Sequence, residues 1–564
     1  MAITMKLLSL LVTCFIVSSH QSGAGPQVTV QQGKIQGKYW TSRGGKKFSA
    51  FLSIPYAEPP LGDLRFKAPV PGKAWNGTLD GTKDHPVCPQ RNIYIRSETI
   101  EGKENCLFLN VYTPQLEMRE EPKYAVMIFF HGGGWFCGGG NSYWYGPDIL
   151  LDKDVVLVVP NYRLGALGFI STGDEVVPGN NGMKDQNLAL KWIANNIVKF
   201  GGDPNKVTLF GESAGGVSAH LHLLSPLSQG LFHAAISQSG TAHVSWGLAK
   251  PGENTRQAHK LAKSLGCPTS SSQKMIDCLK KADPNDIVSK DKIFMEWDTD
   301  PMIPFRPVIE PDLPGAFLTE HPSQIIRLGK SAKVPWMTGI TTEDGTLRAA
   351  AVYGNPHLVN DLDKNFNKLA PITLIYKDDS DCLSNEIRKF YFEENKIDNT
   401  TRYNAIDMYT DAWFLHGTDV SVREHFEHTK TPIYYYLFGH HGKASFSRLF
   451  GDPDQRYGVS HADDLQYMFP VGDSLFPDQQ PDVLDKRMIE IISTLWTNFA
   501  KYKNPTPTIN YLIHSKWEPV KSEIFEYYYI GGGVHPAKGL LLERSKFWRS
   551  LPIHCNSQYE KDEL

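Results

Sequence analysis

The sequence predicts an α/β fold in which helices flank a large, mostly parallel central sheet. Several short apolar runs in the first half of the chain are typical of strands that are buried on both faces. They alternate with a helical pattern and with turn signals, which is the order expected when helices join parallel strands. The predicted strands are 125–130, 155–159, 207–210 and 234–237, and the predicted helix is 183–200.

A small antiparallel sheet is predicted at the N-terminal side of this core. The segments 27–40 (QVTVQQGKIQGKYW) and 46–54 (KKFSAFLSI) alternate apolar and polar residues, with glycines between them. Near the other end, 486–501 has an amphipathic helical pattern whose apolar face we expect in the core. No low-complexity linker or internal repeat divides the chain, so 25–560 is predicted to form a single domain.

The composition favours small molecules as partners. The chain has 564 residues, of which 41% are hydrophobic, and this is enough to bury a large core. Its formal net charge is -3. This balance does not favour nucleic-acid binding, which requires a strongly basic surface. We therefore expect a small, mostly uncharged ligand.

Both ends of the chain carry targeting signals. Lys6 precedes an apolar run at 7–17 that is too short to span a bilayer, and small residues follow up to Ala24. This pattern predicts a secretory signal peptide at 1–24. The last four residues, Lys561 to Leu564, read KDEL, the signal by which a retrieval receptor returns proteins to the endoplasmic reticulum. The predicted location is therefore the lumen of the endoplasmic reticulum, with partial secretion left open.

The cysteines and two N-glycosylation acceptors, Asn76 and Asn399, agree with this compartment. Seven of the eight cysteines follow the signal peptide, so at least one thiol stays free. No CxxC pair and no histidine cluster has the spacing of metal ligands, and neither a metal nor a cofactor is predicted. Two sequence-near pairs are candidates for disulfides, Cys88 with Cys106 and Cys267 with Cys278.

The segment from Gly211 to Gly215, GESAG, predicts a nucleophilic serine. It follows the predicted strand 207–210 and precedes a helical segment. Such a GxSxG turn holds its serine on a strained corner, where glycines on either side avoid steric collisions. At the helix N-terminus the dipole also favours negative charge on a bound substrate. We therefore predict Ser213 as the nucleophile.

A glycine-rich turn, HGGGW at 131–135, follows the predicted strand 125–130. The N–H groups of Gly133 and Gly134, together with that of Ala214, are candidates for binding the oxyanion of a tetrahedral intermediate. A flexible turn without a catalytic role is the alternative. The serine motif downstream favours the functional interpretation.

A serine nucleophile needs a base to accept its proton and a carboxylate to orient that base. In sheet folds of this type the acid follows the serine along the chain, and the histidine follows the acid. Spacing alone does not choose among the carboxylates and histidines beyond Ser213, which include His357, His416, His440, His441 and His461.

Eight motifs are spread along the chain in a fixed order. They are FLSIPYAEPP (51–60), ENCLFLNVYTP (104–114), HGGGW (131–135), NYRLGALGF (161–169), FGGDPNKVTLFGESAGG (200–216), QSG (238–240), GITTEDG (339–345) and GVSHADD (458–464). Together they resemble the type-B carboxylesterases, the carboxylesterase and cholinesterase family of α/β-hydrolases. The resemblance covers nearly the whole mature chain and implies an α/β-hydrolase fold.

The resemblance implies that Ser213 is the nucleophile, that His461 is the base and that Asp344 is the acid. The family usually has Glu at the acid position, which leaves Glu343 as a rival to Asp344. The resemblance also implies oxyanion donors and disulfides at the positions proposed above, namely Gly133, Gly134 and Ala214, Cys88 with Cys106, and Cys267 with Cys278.

Two further residues have open roles. Trp246 matches a tryptophan of the family's acyl pocket, and the alternative is an ordinary core residue. Glu212 either favours the imidazolium form of His461 or merely begins a helix.

Departures from the family pattern narrow the substrate. The loop 89–105 has Tyr94 but no Trp, which disfavours choline esters because their ammonium group needs an aromatic face. Juvenile hormone esterases typically carry Gln where this chain has Glu212. We predict a serine esterase with broad specificity for small carboxylic esters and an acyl-enzyme intermediate. The alternatives are a catalytically inactive, cholinesterase-like adhesion protein, a lipase and a juvenile-hormone-type esterase.

Overall fold

The computed structural model describes residues 25–93, 95–116, 124–376 and 381–555. The predicted signal peptide (1–24), the tetrapeptide 561–564 and Tyr94 lie outside the described residues. Among the helices of the described part, none combines the length and the hydropathy that crossing a membrane requires.

The described strands form a large sheet of eleven strands and a small sheet of three. The strands are β1 (Gln27–Val30), β2 (Gly33–Gln36), β3 (Lys38–Thr41), β4 (Lys47–Pro55), β5 (Thr78–Asp80), β6 (Phe108–Thr113), β7 (Tyr124–Phe130), β8 (Val156–Pro160), β9 (Gly202–Glu212), β10 (Ala234–Gln238), β11 (Trp336–Thr341), β12 (Ile433–Phe438), β13 (Glu526–Ile530) and β14 (Val534–Lys538).

The large sheet has the order β14-β13-β12-β11-β10-β9-β7-β8-β6-β4-β3. All pairs from β13 to β8 in this order are parallel, whereas the pairs at both ends of the sheet are antiparallel. Every residue of β7, β8, β10, β11 and β12 is buried, because helices cover both faces of the central strands. The predicted α/β fold is therefore confirmed.

The helices lie mainly in the connections between strands. They are α1 (Ser142–Tyr145), α2 (Gly165–Phe169), α3 (Asn181–Asn196), α4 (Ala214–Leu224), α5 (Glu253–Ser264), α6 (Ser272–Leu279), α7 (Pro284–Ser289), α8 (Pro322–Arg327), α9 (Thr346–Tyr353), α10 (Pro356–Lys364), α11 (Phe366–Leu374), α12 (Asp381–Phe392), α13 (Arg402–Thr410), α14 (His416–His428), α15 (Val471–Leu475), α16 (Val483–Tyr502) and α17 (Leu542–His554).

Two of these helices were predicted from their apolar periodicity. Helix α3 continues as a 3-10 turn to Phe200 and stops at Gly201, whose φ of 77° is readily adopted by glycine. Helix α16 buries its apolar face in the core, where Trp496 Nε1 donates a hydrogen bond to Gln238 Oε1 at 3.0 Å. This bond ties α16 to the end of β10.

The small sheet differs from the predicted antiparallel arrangement. Strands β1 and β2 are antiparallel, but β5 joins β2 in parallel, so the sheet is mixed. Strands β3 and β4 pair with each other and belong to the large sheet instead. Alternation identifies such strands but does not determine which sheet they join, because pairing is decided by partners distant in the sequence.

Three disulfides are present within the described residues. Two join the sequence-near pairs, Cys88 with Cys106 and Cys267 with Cys278. The third joins Cys382 in α12 to Cys555 at the end of α17, across 173 positions of the chain. Cys137 remains a buried free thiol.

Candidate active site

Ser213 lies on the corner between β9 and α4. Its φ of 58° is unusual for a residue other than glycine, and such strain is commonly found at functional sites. A Cβ on Gly215 would lie 1.9 Å from the carbonyl oxygen of Phe130, and a Cβ on Gly211 would lie 2.4 Å from the backbone of Gly215. Glycine is therefore required on both sides of the serine, as the GxSxG pattern predicts.

The glycine turn after β7 lies directly against this corner. A Cβ on Gly132 would lie 3.1 Å from Cβ of Ser213. Gly133 and Gly134 have φ of 95° and 58°, and the carbonyl of Gly133 accepts hydrogen bonds from the amides of Phe136 and Cys137. Within the described ranges, no protein acceptor takes a hydrogen bond from the amides of Gly133 or Gly134. Both N–H groups are therefore free to bind a ligand atom.

The amide of Ala214 is available for a different reason. Ala214 is the first residue of α4, and the first N–H groups of a helix have no acceptor within the helix. The three predicted oxyanion donors thus come from two turns that meet at Ser213.

Asp344 and His461 are in direct contact, although 117 positions separate them in the chain. His461 Nδ1 lies 2.8 Å from Asp344 Oδ1, and both side chains are buried. Asp344 Oδ2 accepts hydrogen bonds from Ser239 Oγ at 2.8 Å and from the amide of Thr341 at 2.9 Å. The carboxylate therefore accepts the Nδ1 proton of His461, which leaves Nε2 as the ring nitrogen available to a second partner.

Glu343, the rival acid, faces away from the imidazole. Its Oε2 accepts hydrogen bonds from the amide of Val459 at 2.7 Å and from Thr342 Oγ1 at 2.5 Å. Its own amide donates to the carbonyl of Val459 at 3.1 Å. Glu343 therefore binds the backbone of the loop that precedes His461, whereas Asp344 contacts the imidazole ring of His461.

Ser213 and His461 line the same cavity, but no hydrogen bond joins them in the described structure. His461 Nε2 instead lies 3.0 Å from Glu212 Oε1, a contact of opposite charges that lacks the alignment of a hydrogen bond. The aromatic ring of Phe414 lies 4.6 Å from the imidazole, between ring centres. Glu212 is thus more than the residue before a helix, because it faces the predicted base.

The charge of Glu212 raises the pKa values of two buried neighbours, His461 and Asp464. Burial lowers the pKa of His461, but the charge of Glu212 and the hydrogen bond to Asp344 outweigh burial and raise this pKa to about 10. A further carboxyl, Asp464, accepts a hydrogen bond from Gln238 Nε2 at 2.7 Å. Burial, together with the charge of Glu212, raises the pKa of Asp464 to about 8. Near neutral pH Asp464 is therefore mostly uncharged.

Trp246 lines a second, smaller cavity that also reaches Ser213. Its Nε1 donates a hydrogen bond at 2.9 Å to the carbonyl of Trp413, which lines the same cavity. Trp413 and Phe414 belong to a π-helical turn, Asp411–Leu415. Sequence reasoning missed both aromatic residues, because a π-helical turn inside a helical segment has no clear sequence signal.

The two predicted glycosylation sites lie at the surface of the described structure. Asn76 and Asn399 are both exposed, as glycosylation requires. No group of three or more His, Cys, Asp or Glu side chains in the described part of the chain is arranged to hold a metal ion.

The sheet topology and the serine corner together define a class of protein. A largely parallel sheet with a serine at a sharp strand-to-helix turn, a glycine turn beside it and a later acid and histidine is the α/β-hydrolase arrangement. Comparison with known families agrees, since the model of the carboxylesterase family matches residues 24–548. The chain therefore belongs to the carboxylesterase family and is classed with the carboxylic ester hydrolases.

Similar proteins cover nearly the full length of the chain. A juvenile hormone esterase of Tribolium castaneum is 37% identical over 563 residues, covering 95% of this chain and 94% of the relative. A carboxylic ester hydrolase of Bombus ignitus is 37% identical, covering 88% and 89%, and esterase FE4 of Myzus persicae is 38% identical, covering 88% and 87%.

The contact between Glu212 and His461 predicts the effect of removing the Glu212 charge. In Glu212→Gln the pKa of His461 is expected to fall by about 1 to 3 pH units, because an opposite charge within hydrogen-bond distance favours the imidazolium. Histidine-selective NMR titration measures this pKa. Glu175→Gln, which neutralises an exposed carboxylate, is the control and should leave the pKa unchanged. Equal pKa values in Glu212→Gln and the native protein would contradict the prediction.

Proposed function

We propose that this protein hydrolyses carboxylic esters of small molecules, with Ser213 as nucleophile, His461 as base and Asp344 as the acid that orients the base. The observation that carries the proposal is the arrangement around one cavity. A strained serine and an imidazole hydrogen-bonded to a buried carboxylate both line it. The family supports the class of reaction.

In the proposed reaction, Ser213 Oγ attacks the ester carbonyl while its proton passes to His461 Nε2. The imidazolium that forms is stabilised by Asp344 at Nδ1. The carbonyl oxygen becomes negative and accepts hydrogen bonds from the amides of Gly133, Gly134 and Ala214. His461 then gives its proton to the oxygen of the leaving alcohol, and the acyl group stays on Ser213.

Water completes the proposed cycle. His461 takes a proton from a water molecule, whose oxygen attacks the acyl carbonyl. The same three amides bind the second oxyanion. The proton then returns from His461 to Ser213 Oγ as the acid is released, so the enzyme ends in its starting state.

In the described structure the proposed base, His461, contacts Glu212 and makes no hydrogen bond to Ser213. His461 Nε2 must move from Glu212 towards Ser213 Oγ for the proton transfer. Catalytic hydrogen bonds of free enzymes are often long and tighten only when substrate is bound. Because Glu212 favours the charged imidazole, only the fraction of molecules with a neutral ring accepts the Ser213 proton, and Glu212 then stabilises the positive charge that develops in the transition state.

A catalytically inactive adhesion protein is the rival from a different functional class. Inactive relatives of this kind have lost one or more of the three reactive residues, whereas this chain retains Ser213, Asp344 and His461. A fluorophosphonate probe separates the two functions, because it reacts covalently only with an activated serine. Labelling of the folded protein at Ser213 supports the enzyme, and absence of labelling supports the adhesion protein.

The central prediction concerns the nucleophile. Ser213→Ala should lower turnover of a nitrophenyl ester on the order of 10⁶-fold, because no acyl-enzyme forms. Thermal unfolding checks that the variant is folded. Activity equal to that of the native protein would reject the proposed function.

A second prediction separates the two neighbouring acids. Asp344→Asn should lower kcat on the order of 10⁴-fold, because an amide no longer holds the required imidazole tautomer. Glu343→Gln is the matched control and should cost less than about 10-fold, since its amide oxygen still accepts the hydrogen bond from Val459. A larger loss of kcat in Glu343→Gln than in Asp344→Asn would contradict the prediction and indicate Glu343 as the acid.

We also propose that the mature protein, 25–560, is one domain that acts in the secretory pathway, in the lumen of the endoplasmic reticulum. Three disulfides support an oxidising compartment. The predicted signal peptide and the KDEL tetrapeptide support entry and retrieval.

Deletion of residues 561–564 should release the protein into the medium of expressing cells, because the retrieval receptor no longer binds it. Immunoblots of cells and medium measure the distribution of the protein, and the protein that keeps residues 561–564 is the control. Equal retention of both proteins would contradict the proposed role of the tetrapeptide.

A further inference from the structure

Ser213 lies where two apolar cavities of very different size meet. The larger cavity, of about 100 Å³, also contains His461 and Glu212. The smaller cavity, of about 10 Å³, contains neither of them. Its walls are formed by Trp246, Met302, Ile303, Leu347, Ile375 and Trp413.

The position of His461 assigns the two halves of an ester to the two cavities. In the proposed reaction His461 gives a proton to the oxygen of the leaving alcohol, so this oxygen must lie beside the imidazole. The alcohol half therefore occupies the larger cavity, which His461 lines. The acyl half extends from Ser213 to the other side, into the smaller cavity.

The volumes limit what each cavity holds. The smaller cavity has about a tenth of the volume of the larger one, so it accepts the shorter half of the ester.

The lining of the larger cavity indicates the chemistry of the alcohol. Many of the side chains that line this cavity are apolar or aromatic, including Trp144, Phe446, Leu449, Phe450 and Leu475. The charged groups of the cavity, Glu212 and His461, contact each other. A long, uncharged, apolar alcohol fits such a wall, because burial of its methylene groups is favourable.

Met302 separates the small acyl cavity from further space. A third apolar cavity, of about 60 Å³, lies beyond it, and Met302 lines both cavities. The third cavity is otherwise bounded by such side chains as Phe136, Leu164, Phe294 and Phe305. Truncation of the Met302 side chain would join the two spaces and lengthen the acyl cavity.

We propose that the substrates of this site are esters of a short acyl group with a long, uncharged, apolar alcohol, and that Met302 sets the limit on acyl length. This inference rests on the proposed esterase function and adds the class of substrate to it. The reverse arrangement, a long acyl group esterified to methanol, would place the longer half of the ester in the smaller cavity.

Two isomeric esters test the orientation. Hexyl acetate and methyl heptanoate have the same atoms and nearly the same apolar surface, and differ only in the side of the ester that carries the chain. We expect kcat/KM for hexyl acetate to exceed that for methyl heptanoate by at least about 10-fold, since a single misplaced methylene in an apolar pocket already costs about 10-fold or more. Acid release at constant pH measures both rates.

The outcomes separate this inference from the function on which it rests. If the probe labels Ser213 but the two isomers are hydrolysed at equal rates, or methyl heptanoate is preferred, the inference is overturned. The esterase function is unaffected by this result. Absence of labelling and of hydrolysis of both esters overturns the two together.

Variants at Met302 test the limit itself. Met302→Ala should raise the ratio of kcat/KM for nitrophenyl hexanoate to that for nitrophenyl acetate by about 10-fold or more. Met302→Leu is the matched control, because it keeps a similar volume and should keep the native ratio. Leu449→Ala, in the larger cavity, should likewise leave this acyl ratio unchanged. The same ratio in Met302→Ala and the native protein, with Ser213 still labelled, rejects the role of Met302.

Discussion

The close approach of strand β7 to helix α4 is the constraint on which the rest of the site depends. The carbonyl oxygen of Phe130 occupies the place that a side chain on Gly215 would need. Because this contact exists, the glycine turn that follows β7 lies against Ser213, with Gly132 in direct contact with the serine. The strained φ of Ser213 is maintained by the same packing. Backbone sterics thus bring the predicted nucleophile and oxyanion donors together before any side chain takes part.

Electrostatics then determine the state of the imidazole. His461 lies between Asp344 at one nitrogen and Glu212 at the other, and all three side chains are buried. Two carboxylates beside one buried ring favour its positive form, which raises the pKa of His461 although burial lowers it. Asp464 avoids adding a third charge, because burial and the charge of Glu212 raise its pKa to about 8. The arrangement stabilises the imidazolium that ester cleavage would create.

The features shared with the family and the walls of the two cavities come from different parts of this chain. The sheet, the serine corner and the pairing of Asp344 with His461 agree with the carboxylesterase family. The cavity walls come from segments far apart in sequence, including Met302, the π-helical turn with Trp413, and the region of Phe446 and Phe450. Two relatives of similar identity are named a juvenile hormone esterase and a carboxylic ester hydrolase, so overall similarity does not indicate which ester is preferred.

The sequence by itself determined the α/β fold and the serine corner, because apolar periodicity and glycine requirements act between near neighbours. Asp344 and His461 were indicated by the resemblance of their motifs to the carboxylesterases and not by spacing. Only the tertiary structure decided that Asp344 rather than Glu343 contacts His461, and that Glu212 faces the ring. Three further features could be read only from the tertiary structure. They are the disulfide between Cys382 and Cys555, the place of β3 and β4 in the large sheet, and the sizes of the two cavities. The physical reason is that these contacts join residues from distant segments, and their geometry exists only when the sheet and its helices are packed together.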